Sequence, residues 1–241
     1  MPKIIRSGRS SLRPKAVQAS KTKPRQELVG MNKPTISEWQ KCDGLCVTIL
    51  PFDDEGNLWA GVSRQTGGIY WPAGHIDEFR GSARAATGEL SEEMGFRARR
   101  LKKLNSEMIW TPNNCQREYS FKERGHWWDL YQALVDGTPR LESRAFKSAR
   151  LFTPAELRSL GDRTLCSLHE QTSGYTRRLG QDGEFIDPLW LLFLSEAGLI
   201  DLNEEDLELV MLVVANSESL PAGPPGAPDP GRPDARAGGP R

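Results

Sequence analysis

The sequence predicts an α/β domain followed by a helical extension, and three observations carry that prediction. Short β-rich runs stand on both sides of one amphipathic helical pattern, a second helix start at Thr153-Pro154-Ala155-Glu156 follows the last of those runs, and helical apolar patterns resume between residues 161 and 215. With 241 residues, of which 37% are hydrophobic, the chain can bury a sizeable core and still carry unstructured ends.

Residues 1–30 combine Lys, Arg, Ser and Gln with too little apolar content to offset the entropy of ordering, and are expected to form a disordered basic arm. Met31, just ahead of the first structured stretch, is a candidate start. The predicted domain spans 31–160. Gly44–Pro51 reads as a strand, Asp53-Asp54-Glu55-Gly56-Asn57 as a turn, and Leu58–Arg64 as the returning strand of a hairpin. Gly67-Gly68 interrupts the chain before the short extended run Ile69–Trp71, and Pro72-Ala73-Gly74 opens a loop. From Gly81 to Met94 the apolar residues Ala85, Ala86, Leu90 and Met94 recur at helical spacing, with Gly95 where a helix stop belongs. Leu101–Trp110 and Trp127–Val135 read as strands, Asp136-Gly137-Thr138-Pro139 as a turn, and Ala149–Phe152 as a short strand. In the helix start that follows, Thr153 is the N-cap, Pro154 the first helical residue and Glu156 the partner in a capping box.

Residues 161–215 make up the extension. It has helical features over Leu165–Leu179, an apolar helix Leu189–Ala197 capped by Asp187-Pro188 and stopped by Gly198, and an acidic-then-apolar segment Asn203–Ala215. A helix apolar nearly all round is buried, whether by packing on the core, in a homodimer interface, or as a lid over a cleft. Residues 216–241, dominated by Pro, Gly and Ala, read as a disordered tail.

Lys and Arg number 32 and Asp and Glu 32, so the net charge is +0 and gives no global case for a nucleic-acid binder or an acidic scaffold. The balance is uneven. Residues 1–25 hold eight basic side chains and no acid, and the tail holds three of each sign, which leaves about −8 on residues 26–215. The arm's cations are expected to be solvated rather than bound to nucleic acid. No apolar run approaches the roughly 20 residues a membrane helix needs. The N-terminus lacks the apolar segment of a secretory signal, although a transit peptide fits its composition loosely. Cys42, Cys46, Cys115 and Cys166 include no CxxC pair, so they suggest neither a disulfide framework nor a zinc site; reduced thiols in structural roles and a cytoplasmic location are expected.

Glu89, Glu92 and Glu93 stand at i, i+3 and i+4 of the first predicted helix, so their carboxylates share one face while Ala86, Leu90 and Met94 face away. Like charges so placed repel by a few tenths of a kcal/mol per pair on a solvated face, whereas a hard divalent cation turns the repulsion into attraction. Spacing alone favours the solvated face, and the surrounding frame reverses that preference. Gly74 to Phe96 resembles the Nudix hydrolase signature, a 23-residue motif G-x5-E-x7-R-E-U-x-E-E-x-G-U in which U is a bulky apolar residue. Gly74 takes the first glycine, Glu89 and Leu90 the E-U pair, Glu92-Glu93 the acidic pair, and Gly95-Phe96 the end, so seven of nine defined positions match. Flanking segments, Tyr70-Trp71-Pro72-Ala73 before the motif and Gly137-x-Pro-x-Leu-Glu leading to Leu151–Leu157 after it, are also similar to the family's.

The resemblance implies an α/β/α sandwich around a mixed β-sheet. It further implies a hydrolase in which Glu89, Glu92 and Glu93 bind Mg²⁺ or Mn²⁺, the Ala73 carbonyl adding an oxygen, and in which the diphosphate of a nucleoside diphosphate derivative is cleaved. Glu89, Glu118, Glu123 and Glu142 are the alternatives for a general base. The motif's first Glu is Arg80 here and its Arg is Gly88, so weakened or redirected catalysis is expected rather than complete loss, with a ligand-binding module as the alternative. Arg80 or Arg84 could supply the lost guanidinium. Tyr70, Trp71, Trp127 and Trp128 are candidates for stacking on a planar group, with Trp127 and Trp128 on opposite sheet faces. The expected substrate-binding set is Tyr70, Trp71, Trp128 and Arg84. His75 and His126 lie near enough in sequence to serve phosphate or base; His169 has no supporting context.

Overall fold

The computed structural model describes residues 41–64, 66–76, 79, 81–115, 117–119, 124–141, 145–172 and 184–216. The predicted arm, Met31, Arg80, Glu123, Glu142 and the tail beyond Asn216 lie outside the described residues. In chain order the elements are β1 (Lys41–Cys42), β2 (Leu45–Phe52), β3 (Leu58–Ser63), β4 (Ile69–Tyr70), β5 (Ala73–His75), α1 (Ser82–Met94), β6 (Ala98–Lys103), β7 (Ile109–Thr111), β8 (Glu118–Tyr119), β9 (His126–Val135), β10 (Phe146–Phe152), α2 (Pro154–Thr172), α3 (Pro188–Glu196) and α4 (Glu204–Asn216).

The longest apolar strands, β2 and β9, run parallel at the centre of the main sheet, with Leu45 opposite Trp127 and Phe52 opposite Leu134. The order is β10-β3-β2-β9-β6, and β4, β5 and β7 pair with β3, β2 and β9 respectively. Every pairing apart from β2 with β9 is antiparallel, so the sheet is mixed. Beside it, β1 and β8 form a small parallel pair.

Alternation along β2 and β9 sends side chains to two apolar layers. On one face Val47, Ile49, Tyr131 and Ala133 pack with Ala85, Ala86, Leu90 and Met94 of α1. On the other, Cys46, Leu50, Trp128 and Leu130 pack with α2, α3 and α4. The result is an α/β/α sandwich. The predicted apolar helix is α3, where Trp190 to Leu194 are all buried, and it packs on the core. No helix among the described residues is long and apolar enough to cross a membrane.

Three sequence-based boundaries shift. The strand expected over Leu101–Trp110 divides into β6 and β7, because the buried Asn105 side chain takes over the edge of β9 between them: its Oδ1 accepts from Leu130 N–H (2.8 Å) and its amide donates to the Trp128 carbonyl (2.9 Å). The last strand begins at Phe146 rather than Ala149. The helix that opens at Thr153 continues through Leu165 as one 19-residue helix, α2, to Thr172, and residues 173–179 of the expected Leu165–Leu179 pattern lie outside the described residues. The capping box at its start is reciprocal, Glu156 N–H donating to Thr153 Oγ1 (3.2 Å) and Thr153 N–H to Glu156 Oε2 (2.8 Å).

Candidate active site

Helix α1 begins after Gly81, whose φ of 114° breaks the preceding turn, and ends at Gly95, where a φ of 68° puts the backbone in the left-handed region. The Gly95 N–H donates to the Ser91 carbonyl at 2.9 Å, closing the last turn. Docking the stripe Ala85, Ala86, Leu90 and Met94 on the sheet rotates the flanking residues Glu89 and Glu93 toward β5. The Glu89 carboxylate lies directly against Gly74, where any Cβ would overlap it, so the first motif glycine makes room for the acid fifteen residues later. Glu93 Oε2 accepts the Ala73 N–H at 3.2 Å, and Glu92 is exposed at the rim. The Glu93 carboxyl is pushed up to about 8, first by burial and then by the charge of Glu89, with the Ala73 N–H pulling the other way and Glu92 adding a smaller push.

Beside this cluster the Tyr70 ring packs on Phe146 (4.5 Å between centroids) and faces Trp190 (6.1 Å). Burial, then the charges of Glu93 and Asp187, raise its hydroxyl above the ordinary range, which puts both carboxylates within electrostatic reach of it. From the sequence Asp187 reads only as a cap. Its side chain does accept Leu189 N–H (3.2 Å) at the start of α3, and burial also lifts its carboxyl to about 6 despite that bond.

The structure corrects two members of the expected substrate-binding set. Trp71 is fully buried, its ring 5.8 Å from Trp190, because α3 covers that sheet face. Trp128 is buried as well, packed on Phe193 (5.1 Å) with its Nε1–H donated to Thr111 Oγ1 (2.7 Å), so neither ring has a face for a ligand. The two adjacent tryptophans do point to opposite faces, and it is Trp127, 38% exposed, that reaches solvent, with Trp110 opposite it on β7 and Leu45 on β2. Arg84 is exposed on α1. At Gly88, where the motif has Arg, the Phe79 ring lies over the backbone and leaves no space for a Cβ. Glu118 is exposed and paired with Lys41 at 3.6 Å on the small β1–β8 sheet. His169 pairs with Asp206 across α2 and α4 at 2.8 Å. His75 and His126 do not join the carboxylates: their rings stand 5.5 Å apart and meet Cys42 and Cys115 instead.

Among solved structures, the chain is similar to the NUDIX domain of Shewanella oneidensis NrtR complexed with ADP ribose, at 16% identity over 50% of this chain and 79% of that one, with a TM-score of 0.39. It is also similar to a MutT NUDIX hydrolase from Burkholderia pseudomallei, at 17% identity over 46% of this chain and 84% of that one (TM-score 0.37). A third is a C. elegans Ap4A hydrolase in a binary complex, at 12% identity over 54% of this chain and 96% of that one (TM-score 0.36). A search of curated proteins finds no match. Residues 44–169, just over half of the chain, match the family model described as the NUDIX domain, and they contain the sheet, the motif helix and the carboxylate cluster, so the chain belongs to the NUDIX family.

Proposed function

We propose that the protein is a metal-dependent hydrolase that cleaves a diphosphate linkage in a nucleoside diphosphate derivative, at an attenuated rate, with Glu89, Glu92 and Glu93 holding the metal. One observation carries the reading: two carboxylates of one helix are pressed against the β5 backbone at Ala73 and Gly74, with a third exposed at the rim. Such a concentration of hard oxygen donors fits Mg²⁺ or Mn²⁺. The bound ion would supply neutralisation of the diphosphate and a lowered pKa for an attacking water.

The chain's own residues supply the rest. Gly74 lets Glu89 sit close to the backbone, and the Ala73 N–H orients Glu93. The exposed Arg84 is proposed to meet phosphate charge, Tyr70 to close the side of the site, and Trp127 to offer a face for stacking. A binding module that holds a nucleotide-like ligand without turnover is favoured by a different observation, the Phe79 ring where the motif's guanidinium would start.

The test is incubation with Mg²⁺ or Mn²⁺ and a panel of nucleoside diphosphate derivatives, following phosphate-containing products, in the wild type and in Glu92→Gln and Glu93→Gln. Product lost in both variants, with the fold retained by circular dichroism, supports hydrolysis. Thermal stabilisation by a ligand with no product supports the binding module, and neither response defeats both readings.

A further inference from the structure

We propose that Cys42, His75, Cys115 and His126 bind one Zn²⁺ ion in a closed structural site, separate from the carboxylate cluster. The four residues come from four segments: the end of β1, the end of β5, the connection after β7 and the start of β9. Their donor atoms all lie within 4.8 Å of one another. Cys42 Sγ is 3.3 Å from His75 Nε2 and 3.4 Å from His126 Nε2, and Cys115 Sγ is 3.5 Å from His75 Nε2. In a tetrahedron with Zn–S of about 2.3 Å and Zn–N of about 2.0 Å, the sulfur–nitrogen edge is about 3.5 Å. Three sulfur–nitrogen separations already match that edge.

The surroundings are those a metal site needs. Each sulfur accepts a backbone N–H from two residues on, Gly44 N–H to Cys42 and Arg117 N–H to Cys115, both at 3.3 Å, which supports thiolate charge. The His126 tautomer is set from behind. Trp128 Nε1–H donates to Thr111 Oγ1, the Thr111 hydroxyl donates to Asn113 Oδ1 (2.6 Å), and His126 Nδ1 stands 3.2 Å from that same oxygen. An acceptor oxygen there requires the proton on Nδ1 and leaves the Nε2 lone pair directed at the sulfurs, the outer-shell arrangement of a metal-binding imidazole.

Two thiolates and two imidazoles form a borderline-soft set that selects Zn²⁺ over Mg²⁺, and four protein donors leave no open position, so the role is structural. Binding is Zn²⁺ exchanged for the thiol protons, two of them where both sulfurs are protonated, giving a neutral centre. His75 directly follows Gly74 and Ala73, the two residues beneath Glu89 and Glu93, so zinc would anchor the strand that carries the candidate active site.

The experiment uses the full chain, expressed with zinc in the medium and purified under reducing conditions without chelator, with metal and protein quantified together. The expected result is about one zinc per chain, retained in Glu92→Gln and in Cys166→Ser, lost in Cys115→Ser and His126→Asn, and a melting temperature several degrees lower after chelation. Should those two variants fail to fold, Co²⁺ exchanged into the wild type gives an independent reading: tetrahedral d–d bands with a thiolate-to-cobalt charge-transfer band. The proposal is overturned by wild-type protein that takes up no zinc on titration, by zinc retained in Cys115→Ser, by a cobalt spectrum without the thiolate band, or by zinc lost from Glu92→Gln instead.

Discussion

Gly88 is the residue at which the chain departs from the NUDIX motif inside a helix, and its surroundings explain the departure. Helix propensity alone makes Gly88→Ala favourable by about 1 kcal/mol. The Phe79 ring occupies the space a Cβ needs, however, and displacing a partly buried ring costs roughly 1–3 kcal/mol. We expect Gly88→Ala to destabilise the protein by about 1 kcal/mol and the same change in a Phe79→Ala background to stabilise it by about 1 kcal/mol. Urea denaturation of the four proteins in this cycle measures the reversal, and equal effects in both backgrounds would show that the ring does not exclude the side chain. The same crowding opposes any repair of the motif by Gly88→Arg alone. None of this is legible in the sequence, which shows that Arg is missing but not that an aromatic ring from the preceding loop has taken its place. Cys42, His75, Cys115 and His126 are hidden for a related reason. Zinc patterns are read from close pairs along the chain, and here no two ligands are nearer than eleven residues; long-range strand pairing, of β5 with β2, β1 with β8 and β7 with β9, brings them together.

Elements defined by local rules were the legible ones. The α1 stripe, its Gly95 stop, the Thr153–Glu156 box and the Asp187-Pro188 start of α3 follow from periodicity and capping chemistry acting within one or two turns. The division of β6 from β7 was not, because it depends on Asn105 meeting β9 some 25 residues later. Asn105→Ala should cost about 2–4 kcal/mol, since it strands the buried Leu130 N–H and Trp128 carbonyl. Asn105→Asp should not rescue the loss, because it restores the acceptor for Leu130 while turning a second oxygen toward the Trp128 carbonyl; guanidinium unfolding of both variants is the check.

The start of α3 yields a pH prediction. Burial lifts the Asp187 carboxyl from an ordinary 3.8 to about 6, so the folded state prefers it neutral. The folded form pays nothing for this group below about pH 4, loses stability as pH rises from 4 to 6, and is level above that. Asp187→Asn keeps a good cap without the titration, and should exceed the wild type in stability by about 1–3 kcal/mol above pH 6 while matching it near pH 4. Stability curves across that range decide the matter, and a difference that widens toward acid would contradict it.

On the scale of the whole molecule, the family match ends at residue 169, inside α2, yet the core does not end there. The sheet face formed by Cys46, Leu50, Trp71, Trp128 and Leu130 is covered by Leu157, Leu160 and Leu168 of α2 together with Trp190, Leu191, Phe193 and Leu194 of α3 and Val210 and Val214 of α4. That is why Trp71, which beside the motif looks from the sequence like a stacking residue, is fully buried: the residues that cover it lie more than a hundred positions away. A chain ending at Thr172 would expose the Trp71 and Trp128 rings and lose the Ile69–Ile186 bridge that ties β4 to the C-terminal segment. Burying a large apolar side chain contributes roughly 1.5–3 kcal/mol, and several are uncovered at once, against a typical total stability of about 5–15 kcal/mol. We therefore expect the truncated chain to lose cooperative unfolding and to associate through the exposed face, seen as a broad, low-amplitude thermal transition and a high-mass peak on size exclusion. A monomer with a sharp transition near that of the full chain would mean that the α1 layer and the sheet fold without α3 and α4, and that the C-terminal helices are an appendage to the NUDIX domain rather than one side of its core.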